Sequence, residues 1–414
     1  MIQQKMIDHL FRHQYGKMVS ILTRIFGLQH LQTIEDAVQD TFINAIKAWQ
    51  GNIPENPEAW LTMSAKNRVL DLFRKFSAED KRIAKIVTGA ETIAINELFL
   101  EHEVDDSVLR MIFAACNPIL NSKDQIAFAL KTISGFSGKE IATALLLKEE
   151  TVKKRLTRAR KNIQEGQIAF EIPAGAELEH RLHRVLEVIY LIFNEGFHSN
   201  RKDILIREEL CGEAMRLAKT LLTNPFTATP NSYAVFALFC FQSARLSSKI
   251  NSQKEIISLK DQDRSKWHRP LIALGHRNME KAVAGENYGY YHYEAAIAAQ
   301  HALASSYAST DWDKILMWYQ RLNTLENSPF NLLNMAVVQI QRGDLPAARE
   351  LLEKINPNLL EQRAYLYYGT YAEYALHIGN KTLALKYIDQ AITMVRNDAE
   401  LKYLRKKKSE YEAT

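Results

Sequence analysis

The sequence predicts an all-α protein. Three observations carry that prediction: apolar residues recur at helical spacing in almost every segment, alternating runs rich in Val, Ile or Thr are scarce, and turn-formers cluster between the periodic stretches. The clusters fall at Gly51 to Pro57, around Gly89, at Asn117-Pro118, at Pro173-Ala174-Gly175 and between Thr223 and Pro230, with the Pro173 region as the main expected boundary.

A chain of 414 residues has room for roughly two to four domains, and its composition is that of an ordinary globular protein. Lys and Arg number 53 against 48 for Asp and Glu, so the overall charge says little and any basic surface must be local. Cys116, Cys211 and Cys240 are far apart and unaccompanied by clustered His, which argues against a disulfide framework or a zinc site and for a reducing, cytoplasmic setting. Charges enter the N-terminal segment at once, and no stretch reaches the ~18 apolar residues of a membrane span, so neither secretion nor a membrane partner is expected.

The first module opens with Ile34, Val38, Phe42, Ile46 and Trp49 near one helix face, leaving Asp36, Gln39, Asp40 and Lys47 on the others. Asn56 followed by Pro57 is a cap and first-turn pair, which starts a second helix from Glu58 to about Lys75. Ala59, Met63, Leu70 and Phe73 form its expected apolar stripe. Trp60, Asn67, Asp71 and Arg74 share an adjoining flank, with Arg68 and Lys75 beyond. An aromatic ring among amides and cations suits unpaired DNA, where the ring stacks on bases and the cations follow the phosphates. The same residues also fit a core Trp60 followed by a solvated basic helix end.

The second module begins at Ser137, three positions before Glu140, the spacing of a capping box. A short helix through Ile141, Ala142 and Leu145 and a turn through Leu146 lead to a second helix. There Val152, Leu156, Ala159 and Ile163 repeat on one side and Lys153, Lys154, Arg155, Arg158, Arg160 and Lys161 lie outside it. That is the plan of a helix-turn-helix, whose second helix offers its N-terminal residues to base edges while its cations attract phosphate.

Beyond Pro173, Ala336, Gly343 and Ala348 recur as Ala372, Gly379 and Ala384, close to the ~34-residue period of tetratricopeptide repeats. A plain helical bundle is the alternative.

Three groups invite a chemical reading. Asp261, Gln262, Asp263 and Arg264 have the carboxylates of a cation site but fit helix caps and salt bridges better. His9 and His13, one turn apart, lack a third ligand. Glu195 before Gly196 reads as a capping or pairing residue at a helix end. No phosphate loop, nucleophile elbow or zinc-protease signature is present, so no catalytic residues, metal or cofactor are expected.

Taken together, EDAVQDTFINAIKAW (Glu35 to Trp49), PEAWLTMSAKNRVLDLFRK (Pro57 to Lys75) and KEIATALLLKEETVKKRLTRARKNI (Lys139 to Ile163) resemble the extracytoplasmic-function group of the sigma-70 family, whose members keep sigma domains 2 and 4. LIFNEGF (Leu191 to Phe197), LKDQDRSKW (Leu259 to Trp267) and YYHYEAAIAAQHA (Tyr290 to Ala302) resemble the subgroup with a tetratricopeptide-like C-terminal extension.

The resemblance implies sigma domain 2 over 1–76, a linker over 77–104, sigma domain 4 over 105–170, and a helical regulatory domain over 177–414 with repeats around 331–395. It implies core RNA polymerase, through the β′ clamp and β flap, and promoter DNA as partners. The C-terminal domain would take an intramolecular or protein partner. Asp36, Gln39, Asp40 and Phe42 would meet the clamp, with core as the other place for Phe42. Trp60, Asn67, Arg68, Asp71, Arg74 and Lys75 would melt and read the −10 element, capturing a flipped base. Thr151, Lys153, Lys154, Arg155 and Arg158 would read the −35 element.

The family's turn usually carries glycine where this chain has Leu146. A conventional helix-turn-helix regulator and a tetratricopeptide interaction scaffold are the competing functions.

Overall fold

The computed structural model describes residues 2–49, 53–76, 101–145, 147–166, 168–198, 206–253 and 255–413. Among them there is no β-strand; one isolated bridge pairs Ile250 with Ile256. The chain forms two compact units, Met1–Ile192 and Phe193–Thr414.

In the first unit, α1 (Ile2–Phe26), α2 (Leu31–Ala48) and α3 (Pro57–Phe76) pack around a shared core. Phe26 stacks on Phe73 with ring centroids 4.6 Å apart, beside buried Ile34, Val38, Leu61 and Val69. Gly27 ends α1 at φ 98°, a left-handed conformation that glycine adopts without strain.

Next come α4 (Glu101–Ala115), α5 (Ser122–Thr132), α6 (Gly138–Ala144) and α7 (Glu149–Glu165). The expected linker lies mostly outside the described residues, and from Glu101 the chain is helical.

The two modules share one unit because α1 packs against the second. Gly16 sits so close to the Ile133 backbone that a Cβ would fall 1.8 Å from its carbonyl oxygen, leaving space only for glycine. Arg24 donates to Glu103 at 2.6 Å and lies 3.2 Å from Asp106.

The Pro173 region turns the chain without dividing it. α8 (Gly175–Phe197) follows directly, and its nearly buried Arg181 donates to the Phe113 carbonyl at 2.7 Å. Gly196 lies inside this helix instead of forming a turn after it. A Cβ there would stand 2.8 Å from the Cys211 nitrogen and sulfur, so its role is close helix approach.

The second unit contains α9 (Glu208–Leu221), α10 (Pro230–Ser243), α11 (Arg269–Ala282), α12 (Tyr290–Leu303) and α13 (Trp312–Leu325). Residues Ala234 to Phe241 of α10 are all buried, as expected of a helix enclosed on every side.

The repeat is realised as two helix pairs, α14 (Pro329–Arg342) with α15 (Leu345–Glu353) and α16 (Ala364–His377) with α17 (Lys381–Met394), followed by α18 (Asp398–Ala413). Ala336, Ala348, Ala372 and Ala384 are fully buried between the paired helices. Gly343 and Gly379 close the first helix of each pair at φ 79° and 75°. Asp344 and Asn380 then cap the second, accepting from Ala347 at 3.1 Å and Leu383 at 3.0 Å.

All three cysteines are buried and free, and burial raises each thiol to about 12, far from the range of a reactive thiolate.

Candidate nucleic-acid interface

Asn56 starts α3 as its composition suggested, accepting from the Ala59 amide at 3.0 Å with Pro57 next in line. The inward face differs from the expected one. Leu61, Ala65, Val69, Leu70 and Phe73 are buried, whereas Ala59 and Met63 are exposed. The helix turns its i, i+4 row of Leu61, Ala65, Val69 and Phe73 toward α1 and α2, and Met63 is left at an open cleft beside Gln14 and Lys17.

This orientation leaves the polar flank outside. Asn67, Arg68, Asp71 and Arg74 are exposed, and Trp60 is half-buried with its ring edge-on to Trp49 at 5.3 Å. Trp60 therefore combines a fixed orientation with a partly open face. Arg74 pairs with Asp71 at 2.8 Å on the same helix; Lys75 lies on the helix, its side chain outside the described residues.

On α2, Asp36 is exposed and Gln39 and Asp40 are half-buried. Phe42 is core: it is 3 % exposed and meets Phe11 edge-on at 4.8 Å, so a surface role for it is corrected. Asp40 and Arg68 meet at 3.0 Å with both side chains about half exposed, which joins a residue expected to face polymerase to one expected to face DNA.

The helix-turn-helix forms as its spacing implied. Glu140 donates its amide to Ser137 Oγ at 3.1 Å and accepts from the Ser137 amide at 2.8 Å, completing the capping box. After α6 the Leu147 amide returns to the Ala142 carbonyl at 2.8 Å, while Leu146 lies outside the described residues. On α7 Val152, Leu156, Ala159 and Ile163 are buried.

The basic side of α7 divides in two. Lys153 and Lys154 are exposed, Thr151 and Arg155 are half-buried, and neither lysine nor Arg155 makes an ion pair among the described residues. Arg158 is engaged: its guanidinium grips the buried Asp124 with two bonds of 2.7 and 2.6 Å. Its freedom to read a base is correspondingly reduced.

Arg160 points inward to Glu35 of α2 at 2.5 Å. Glu35 is 2 % exposed, and burial raises its carboxyl pKa while Arg160 opposes the rise. This bond between the modules was not anticipated from sequence. The available signal was Glu35 itself, a carboxylate beside Ile34 on a helix face that turns inward and therefore needs a partner.

The C-terminal groups prove structural. Asp263 caps the following turn through Ser265, and Arg264 donates to the carbonyls of His301 and Ala304 and to Thr310 Oγ1, closing the end of α12. His292 accepts from the Gly289 amide at 3.1 Å with Nδ1, so its Nε2, 3.1 Å from the Ala282 carbonyl, carries the proton. The side chains of His9 and His13 lie outside the described residues; among those described, no cluster of metal-ligating side chains occurs. No described helix is long and apolar enough to cross a membrane.

Comparison with known proteins fits this arrangement. Sigma-70 region 2 matches residues 2–78, and sigma-70 region 4 matches 111–163. A family of unknown function, DUF6596, matches 181–283. An uncharacterized protein of Rhizobium meliloti is 33 % identical over 91 % of this chain and 89 % of its own length. The ECF RNA polymerase sigma factor SigE of Mycolicibacterium smegmatis is 27 % identical over 38 % of this chain and 60 % of its own length. The ferric citrate uptake sigma factor FecI of Escherichia coli is 27 % identical over 37 % of this chain and 85 % of its own. No solved structure matches. With a region 2 bundle and a region 4 helix-turn-helix in this order, the chain belongs to the extracytoplasmic-function group of the sigma-70 family.

Proposed function

We propose that this chain binds core RNA polymerase, opens and reads a −10 element with α3, and reads a −35 element with α7. The carrying observation is the pairing of two different surfaces in one sigma-70 chain: a half-open Trp60 beside exposed Asn67 and Arg68, and the exposed Lys153 and Lys154 on a capped helix-turn-helix. The first suits unpaired bases and the second a major groove. Asp36, Gln39 and Asp40 are the polymerase-facing residues in this reading, and catalysis of RNA synthesis remains with the polymerase. The helical domain from Glu177 to Thr414 regulates the sigma modules through an intramolecular or protein partner.

The test is run-off transcription by purified core polymerase with the full chain on a promoter library. Single substitutions are preferable to a truncation near Pro173, which would remove Arg181 from the Phe113 carbonyl. Promoter-specific transcripts are expected, with Asp36→Ala weakening core binding, Trp60→Ala blocking opening and Arg155→Ala altering promoter choice. Duplex binding without any polymerase-dependent transcript would establish instead a conventional regulator.

A further inference from the structure

In the second unit, the loop bearing Lys249, the turn before α16 and the first turns of α18 enclose a cavity of about 510 Å³. That size is typical of a small-molecule site. Its charges do not balance. Lys249, Arg363, Arg396 and Lys407 line it, against Glu373 and Glu400.

Internal partners account for only part of this set. Lys407 pairs with Glu373 at 3.2 Å, and Glu400 accepts from the Tyr365 hydroxyl at 2.6 Å. Lys249 is 8 % exposed, yet its ammonium is satisfied by the Phe197 carbonyl at 2.6 Å and the Phe197 ring at 3.6 Å, with no carboxylate paired to it among the described residues. Arg245 faces the same ring at 5.2 Å. Burial, then Arg245 and more weakly Arg363, hold the Lys249 pKa well below the usual lysine range, with Glu400 opposing them. Arg363 reaches the His198 carbonyl, and the exposed Arg396 forms no ion pair among the described residues.

Arg363 and Arg396 therefore leave this side of the cavity with cationic groups that no resident carboxylate pairs among the described residues, a surplus that a bound anion would neutralise. The cavity also has an apolar wall, since Phe330 and Leu366 are exposed there beside Tyr365. We infer that this cavity binds a carboxylate-bearing ligand with an apolar or aromatic body, the carboxylate held by Arg363 and Arg396 near Lys249 and the body against Phe330 and Leu366. The planar donor forks of the two arginines match a carboxylate. The two resident carboxylates disfavour a multiply charged anion such as phosphate.

The test is isothermal titration calorimetry on the full chain with three probes: hydrocinnamate, its neutral amide hydrocinnamide, and a glycine-spaced peptide ending in a free phenylalanine carboxylate. At least one acid is expected to bind saturably, roughly tenfold or more above the amide. Arg396→Glu should abolish that binding, whereas Arg405→Glu, on the exposed side of α18, should leave it unchanged. Circular dichroism would verify that both variants fold. Tighter binding of hydrocinnamate identifies a small acid as the source of the carboxylate; tighter binding of the peptide identifies a chain end. Equal binding of acid and amide, no saturable binding of either acid, or full binding by Arg396→Glu overturns the proposal. The readout is binding alone, so it stands or falls separately from the transcription assay.

Discussion

α3 and α7 each present cations beside an apolar stripe, but they hold them differently. On α3 the arginines are paired at the surface, Arg68 with Asp40 and Arg74 with Asp71, and all four side chains remain about half exposed or more. On α7 two arginines turn to buried acids, Arg158 to Asp124 and Arg160 to Glu35, while Arg155, Lys153 and Lys154 form no ion pair among the described residues. A basic helix is therefore not one kind of surface: some of its charge holds the fold, and the remainder is available to a ligand.

The largest effect should come from breaking an inward pair. Arg160→Ala strands Glu35 in the core and is expected to cost about 3 kcal/mol. Chemical denaturation would measure it, and replacing both residues with leucine should recover most of the loss. Because burial raises the Glu35 pKa above its unfolded value, protonated Glu35 favours the fold at low pH, and that contribution disappears as pH rises through the folded pKa. The Arg160→Ala deficit should therefore be larger at pH 8 than at pH 5. An equal deficit at both would show that Glu35 does not titrate in this window.

Next in size is the aromatic contact of α3. Trp60→Ala should weaken capture of an unpaired −10 strand by about 1–3 kcal/mol, measured by fluorescence anisotropy with core polymerase present, and leave −35 duplex binding unchanged.

The outward lysines should give a smaller and sequence-independent effect. Replacing Lys153 and Lys154 with alanine should lower −35 duplex affinity on every sequence and reduce the slope of log affinity against log salt by about 2. A change confined to one sequence would move these lysines from phosphate contacts to base reading.

Smallest is the surface pair of α3. Arg74→Ala should change stability by less than about 1 kcal/mol, because both partners are 59 % exposed.

What was legible in the sequence was local. The Ser137–Glu140 box, the Asn56–Pro57 start and the Val152 to Ile163 stripe each depend on residues a few positions apart, and each formed as its spacing required; the longer repeat was legible only because Gly343 and Gly379 each end a helix locally. The α3 stripe departs from its expected course because an apolar residue on a helix does not announce which neighbour it will meet; the helix buries the small Ala65 and exposes the larger Met63. Arg158 and Arg160 looked alike until Asp124 and Glu35 were brought to them from distant helices. The cavity gathers residues from 198 to 407, a span over which no short motif can be recognised.

The bond between Glu35 and Arg160 also bears on distance. Elements at −10 and −35 are separated by roughly 25 base pairs, about 85 Å of duplex at ~3.4 Å each. Helices joined by a 2.5 Å hydrogen bond cannot read both at once. Under the proposed function, productive promoter binding requires this contact to part, and the apparent affinity of the free chain for a whole promoter is reduced by the scarcity of the parted form. Polymerase, by holding the two modules separately, would remove that penalty and make promoter reading conditional on its presence.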